Sequence, residues 1–214
     1  MKVALIGASG FIGKEILAEA LDRGHHVTAI VRDVSKITIQ SPDLTVIKAD
    51  VLDEDALAAA LEGNDAVISA YNAGHDASDI IDTYGRAIRS ILNGTRDAGI
   101  KRFIAVSGAG SLEIEPGLQL LDTPEFPEVW KAGATATREA FYTIKAQDDL
   151  DWTVLSPAMI IEPGPRTGKF RLGTDQVVAD EKGDSRISTK DFAVAIVDEL
   201  ENPQHIKRRF TLAY

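Results

Sequence analysis

Val3-Ala4-Leu5-Ile6 is an unbroken apolar run closed by Gly7. Short apolar runs bounded by glycine are the pattern of a strand buried on both faces. Behind it, Phe11, Ile12, Ile16, Leu17, Ala20 and Leu21 recur at intervals of one, three and four, which is one face of a helix. Gly24 ends that helix, and the β-branched stretch His26-Val27-Thr28-Ala29-Ile30-Val31 predicts a second strand. The same alternation predicts a strand at about 44–48, a helix at about 53–61 led by Asp53, Glu54 and Asp55, and a strand at 65–69. A long helix at 79–98 and a strand at 102–106 follow.

Five strands alternating with helices predict a parallel sheet covered on both faces. From Gly108 to Pro127 the pattern lapses, with Pro116, Pro124 and Pro127 breaking any long helix. It resumes with a helix at about 132–148 and a strand at Trp152–Leu155. Residues 157–185 hold Pro157, Pro163, Pro165 and four glycines and read as loops with one short strand. A helix at about 189–200, capped by Ser188 or Thr189, and a strand at Phe210-Thr211-Leu212 close the chain. No linker-like tract divides it, so residues 1–214 read as one α/β domain with a doubly wound parallel sheet.

Composition narrows the function. With 23 Lys+Arg against 33 Asp+Glu, the net charge of −10 argues against nucleic acid, whose phosphates require a basic face. No cysteine is present, which excludes disulfides, thiolate catalysis and cysteine-held metals. His25, His26, His75 and His205 show no metal spacing, and His25-His26 reads as a helix-to-strand turn. No stretch nears the roughly 18 apolar residues of a membrane span, and the first apolar run is too short for an exported leader. The expectation is a cytoplasmic protein. Lys207-Arg208-Arg209 reads as the solvated start of the last strand.

The chemistry concentrates where strands end. Gly7-Ala8-Ser9-Gly10-Phe11-Ile12-Gly13 joins the first strand to the first helix as G-x-x-G-x-x-G, a variant of the dinucleotide fingerprint in its required context. Gly7 permits the tight turn, Gly10 lets the backbone approach a pyrophosphate, and Gly13 lets helix and sheet pack closely. Ser9, Phe11 and Ile12 complete the cradle, whose free N–H groups would hold phosphates.

After the second strand stands Arg32, with Ser35 and Lys36 behind it, where an acidic residue would bind the ribose hydroxyls of NAD. A guanidinium fork suits a 2′-phosphate, so NADP(H) is favoured over NAD(H). Asp33 stands one position late and reads as solvent-facing. Asp50, followed by Val51, is placed to accept from the adenine amino group, or else to shape the turn before the next helix. Ala70-Tyr71-Asn72, after strand four, would carry backbone past the second ribose and the nicotinamide.

Together with Val106-Ser107-Gly108, these segments resemble the short-chain dehydrogenase/reductase superfamily. The chain is similar to its small atypical members, the NAD(P)H-binding, NADH-flavin reductase-like proteins. Asp151–Pro157, Glu162–Gly168 and Ile187–Ala193 carry that narrower likeness, which spans essentially the whole chain. The resemblance implies a Rossmann-like fold with a small C-terminal substrate-side lobe at about 157–214. It also implies cofactor binding, and it makes Ser107, where relatives place a serine near substrate, the candidate catalytic residue.

The standard Tyr-x-x-x-Lys pair, in which lysine lowers the tyrosine pKa for proton transfer, is missing. Phe141 stands four before Lys145, Tyr142 three before it, and counting back from Pro157 puts Ala134 and Arg138 in the paired slots. The expected function is therefore hydride transfer from the cofactor to a small acceptor such as a flavin or quinone, which can draw its proton from water. An NADP(H)-binding redox sensor without turnover is the alternative, and a sugar-nucleotide epimerase or dehydratase a third. Lys131 is a further residue that could reach the nicotinamide side, and Trp130, Tyr71 and Phe126 could form an aromatic wall for a flat substrate.

Overall fold

The computed structural model describes residues 1–74 and 79–214; His75 lies outside them. The first half of the chain runs β1 (Lys2–Ile6), α1 (Gly13–Asp22), β2 (His26–Val31), β3 (Leu44–Lys48), α2 (Glu54–Leu61), β4 (Ala66–Ser69), α3 (Ile80–Asp97) and β5 (Arg102–Val106). Two short strands follow, β6 (Glu113–Glu115) and β7 (Leu118–Gln119), which the sequence pattern does not show. They pair with each other, turning at Gly117 with φ +83°, and Glu113 also bridges to Gln176.

The second half runs α4 (Glu128–Lys145), β8 (Asp151–Ser156), β9 (Ile160–Glu162), β10 (Arg171–Gly173), β11 (Arg186–Ser188), α5 (Thr189–Glu201) and β12 (Arg208–Ala213). Helix α4 starts at Glu128, four residues before the predicted start, because Pro127 fits the position just ahead of a helix and its missing N–H costs nothing there.

The eight-stranded sheet has the order β10-β12-β8-β5-β4-β1-β2-β3. Seven strands are parallel and the edge strand β10 is antiparallel to β12. The order reverses direction at β1 and β4, which places a crevice at the carboxyl ends of those strands, where open α/β sheets bind ligands. Side chains alternate between two cores. Leu5, Ile104, Leu155 and Phe210 pack on the α1/α5 face, and Ile6, Phe103, Trp152 and Val154 on the α2/α3/α4 face. This is the predicted doubly wound α/β fold.

The C-terminal lobe is smaller than 157–214. Strand β12 lies inside the main sheet and α5 packs on α1, so only β9, β11 and the loops around them stand outside the layers. The 157–185 stretch holds two strands rather than one. Its Glu162–Gly168 segment is strapped down at two points. Arg166 grips both oxygens of Glu19 at 2.7 Å each, on the buried side of α1. Asp191, in the first turn of α5, accepts from the N–H groups of Thr167 and Gly168 and from the hydroxyls of Thr167 and Tyr214.

The basic run at 207–209 is only partly solvated. Arg209 is buried, with its guanidinium 4.5 Å from the Phe141 ring centroid and hydrogen-bonded to Ser111 and Asp175. His25 does stand in the predicted turn, buried and hydrogen-bonded to Glu201 at 2.9 Å.

Candidate functional site

The glycine triplet is built as its spacing requires. Gly7 has φ +78°, and a Cβ on it would lie 2.6 Å from the Ala70 carbonyl oxygen. Its N–H donates to Ile30 O and its carbonyl accepts from Gly10 N, so the turn is held on both sides. A Cβ on Gly13 would fall 2.0 Å from Gly7 O, which is how closely α1 is packed against the turn. Gly10 is exposed and open on the outer side.

Ile12 precedes α1 with no side-chain cap, and the N–H groups of Phe11 and Ile12 have no acceptor among the described residues. Uncapped N–H groups at the start of a helix form a ready anion site. Ser9, in the turn before them, is half-buried.

Across the carboxyl edge, Arg32 and Asp50 both lie near enough to Tyr71 for their charges to act on its hydroxyl. Burial raises the Tyr71 hydroxyl pKa, with the charge of Arg32 opposing and that of Asp50 reinforcing the shift. Arg32 is exposed and has no ion pair or hydrogen bond among the described residues, so its fork is open; Lys36 is exposed in the same loop. Asp33 does more than face solvent. One of its oxygens accepts from both the N–H and the hydroxyl of Ser35, at 3.0 and 2.7 Å, capping the 3-10 turn Val34–Lys36. Those two bonds hold its carboxyl below the usual range.

Asp50 shapes its turn by accepting from Leu52 N at 3.0 Å, while the helix cap belongs to Asp53, which accepts from Ala56 N. The second Asp50 oxygen has no partner among the described residues. Val51 is buried beneath it. In the loop after β4, Ala70 packs on Gly7 and Asn72 accepts from Gly74 N at 2.8 Å.

Ser107 continues β5, and its hydroxyl is buried with no hydrogen-bond partner among the described residues. A buried orphan hydroxyl at this edge fits a ligand that brings its own donor or acceptor. The part of α4 above it carries no acid–base pair. A Cβ on Gly108 would meet Thr137 Oγ1 at 2.7 Å, and one on Gly110 would meet Ala134 Cβ at 2.9 Å. Thr137 donates to Ala134 O, and Arg138 is held by Asp122 at 2.8 Å.

Tyr142 does not share the face of α4 that meets Gly108. It lies five residues beyond Thr137, about 7.5 Å along the helix and about 140° around it, and accepts from Gln119 Nε2 at 2.7 Å. Tyr142→Phe is therefore expected to leave kcat and KM within about twofold of the parent in a steady-state assay. Lys131 lies within α4 and pairs with Glu128 at 2.7 Å. Of the expected aromatic wall, Tyr71 turns its ring edge-on to Tyr84, and Trp130 stands half-exposed on the first turn of α4.

The signal that sequence reading missed lies on α3. Tyr84 and Ser90 are buried polar residues on its inner face, and each donates a hydrogen bond to a loop of this edge. A cavity of about 500 Å³ opens elsewhere, beside Pro163, Lys169 and Tyr214. None of its lining residues is one of the sequence-predicted site residues.

Comparison with known proteins agrees with this geometry. A family described as NAD(P)H-binding matches residues 7–203. The chain belongs to that NAD(P)H-binding family of atypical short-chain dehydrogenases/reductases. The uncharacterized protein YwnB of Bacillus subtilis is 42% identical over 99% of this chain and 98% of its own length. A solved structure from Bacteroides thetaiotaomicron, described as a "putative epimerase", is 44% identical with a TM-score of 0.93, covering 100% of this chain and 96% of that one. Another from Streptococcus pneumoniae, described as a "putative NADH-flavin reductase", is 39% identical with a TM-score of 0.87, covering 100% and 99%. The family binds NAD(P)H, and no helix among the described residues is long and apolar enough to cross a membrane.

Proposed function

We propose that this protein is an NADPH-dependent reductase that passes hydride to a flavin, quinone or similar small acceptor. Its carrying observation is the pairing of an open Arg32 fork with a neighbouring Asp33 already engaged by Ser35. That arrangement favours a 2′-phosphate over a 2′-hydroxyl at the end of β2. Lys36 adds a second positive charge. Gly7, Ser9, Gly10, Phe11, Ile12 and Gly13 would hold the pyrophosphate. Asp50 and Val51 would border the adenine, and Ala70, Tyr71 and Asn72 the second ribose. Ser107 contacts the nicotinamide or the acceptor.

The cofactor supplies a hydride, its C–H bond breaking as the acceptor is reduced. The chain supplies orientation. With Ala134 and Thr137 facing Ser107–Gly110, α4 offers no tuned proton donor, so the acceptor takes its proton from water. That requirement favours flavins and quinones over simple carbonyls. The likeness to the Streptococcus protein supports the same acceptor class. We read residues 1–214 as one cytoplasmic domain, with α5 and β12 completing the layers that α1 and β1 begin.

Titration with NADPH and NADH tests the cofactor. Arg32→Ala is expected to raise the NADPH Kd by about 30-fold while leaving NADH within twofold, the scale of one lost charge-assisted phosphate contact. Equal loss for both cofactors would remove Arg32 from the 2′-phosphate. NADPH oxidation across flavins, quinones and carbonyls tests the reaction. Tight binding without turnover on any acceptor would replace the reductase with the redox sensor.

A further inference from the structure

Helix α3 carries two buried hydroxyls whose hydrogen bonds leave the helix for two different loops. Tyr84 donates to the Tyr71 carbonyl at 3.1 Å, and its ring lies edge-on to that of Tyr71, centroids 5.4 Å apart at 65°. Burial pushes its phenol pKa far up, so Tyr84 remains a protonated donor throughout the physiological range. Six residues further along, Ser90 donates to the Val51 carbonyl. The acceptors belong to the loops after β4 and β3, which carry Tyr71 and Asp50.

Position in these loops has little slack. The Ala70 carbonyl and the Tyr71 N–H already stand 2.6 and 3.2 Å from where a Gly7 Cβ would be. The helix that holds them is itself immobilised, with Ala87, Ile88 and Ile91 buried in the core between the two hydroxyls and beyond. Hydroxyls of this kind, buried and directed at loop carbonyls, set where the main chain sits more than they add to overall stability.

We propose that Tyr84 and Ser90 are positioning residues for the cofactor, Ser90 holding the 50–51 main chain beside the adenosine and Tyr84 holding the 70–71 main chain beside the second ribose, next to the glycine turn. The inference rests on the cofactor site described above and adds two residues that touch no cofactor atom.

Tyr84→Phe keeps the ring and removes the donor, and Ser90→Ala removes the other. Thr95→Val is the control, since the buried Thr95 hydroxyl donates within the same helix, to Ile91 O at 2.7 Å, and reaches no loop. Calorimetry would use NADPH and adenosine 2′,5′-bisphosphate, a probe lacking the nicotinamide, well below the melting temperature of every variant. Ser90→Ala is expected to raise both Kd values about five- to tenfold, and Tyr84→Phe to raise that of NADPH by as much with the bisphosphate within twofold, the scale of one lost hydrogen bond to a buried acceptor. Thr95→Val is expected to lower Tm comparably with both Kd values within twofold of the parent. Parent-like NADPH Kd values in both loop variants, or equal weakening by Thr95→Val, would overturn the proposal. Failure of the parent itself to bind NADPH would overturn the cofactor reading instead.

Discussion

Alanine at position 13 is expected to abolish cofactor binding and to destabilise the fold by about 3–5 kcal/mol, the scale of a severe backbone overlap in a packed interior. The added Cβ would sit 2.0 Å from Gly7 O and 2.8 Å from Gly7 C, so the clash is with main chain and no side-chain rotation relieves it. Gly7 has little freedom to move, since its N–H is tied to Ile30 O and its carbonyl accepts from Gly10 N. Either α1 lifts from the sheet or the turn opens, and both move the N–H groups that would hold a pyrophosphate. A thermal melt should show Tm lower by roughly 6–20 °C, at about 2–4 °C per kcal/mol for a chain of this size. Gly10→Ala is the informative contrast. Its Cβ would meet only Gly7 O, at 3.2 Å, so the fold should survive while the outer face of the turn is obstructed. A Gly13→Ala protein with parent-like Tm would show that the helix does not pack on the turn as closely as the structure has it.

Asp191→Ala is expected to cost about 3–4 kcal/mol, because one deletion orphans several donors at once. Its buried carboxylate accepts from Thr167 N and Gly168 N at 2.8 Å each, from Thr167 Oγ1 at 2.6 Å and from Tyr214 OH at 2.7 Å. Burial acts to raise the Asp191 pKa, but the hydrogen bonds from Thr167, Gly168 and Tyr214 outweigh it and hold the group below the ordinary carboxylate range. A depressed folded value means that the unfolded chain binds the proton first. The stabilisation is complete above the unfolded value of about 3.9 and is lost as pH falls through the lower folded value. Glu19, also lowered, chiefly by its bonds from Arg166, adds to the same acid limb. Denaturant melts between pH 7 and pH 2.5 should show the parent losing stability steeply below about pH 4. Asp191→Asn should start lower and fall less steeply. Parallel curves for the two proteins would remove Asp191 from the acid transition.

The strands and the phosphate turn were legible because their signals are local. An apolar run such as Val3–Ile6 has no other stable place than a sheet covered on both faces, and Gly7 needs a backbone conformation that other residues rarely adopt. Segments whose partners are distant were not legible. Strands β9 and β11 pair with each other across more than twenty intervening residues, and Arg209 becomes a core residue only because Phe141, Ser111 and Asp175 converge on it. Periodicity contains no term for such encounters.

By itself, then, the sequence determined the βα alternation, the parallel sheet, the glycine turn and the absence of a Tyr-x-x-x-Lys pair, since each follows from neighbouring residues and backbone sterics. Only the tertiary structure decided that Arg32 is open while Asp33 is engaged, that Tyr142 lies off the face of α4 that meets Gly108, and that Asp191 and Glu19 strap the 162–168 segment. It also decided that Tyr84 and Ser90 reach from α3 to the two loops of the crevice. Hydrogen bonds of that kind depend on where two distant segments meet, and that meeting is set by how the helices pack on the sheet.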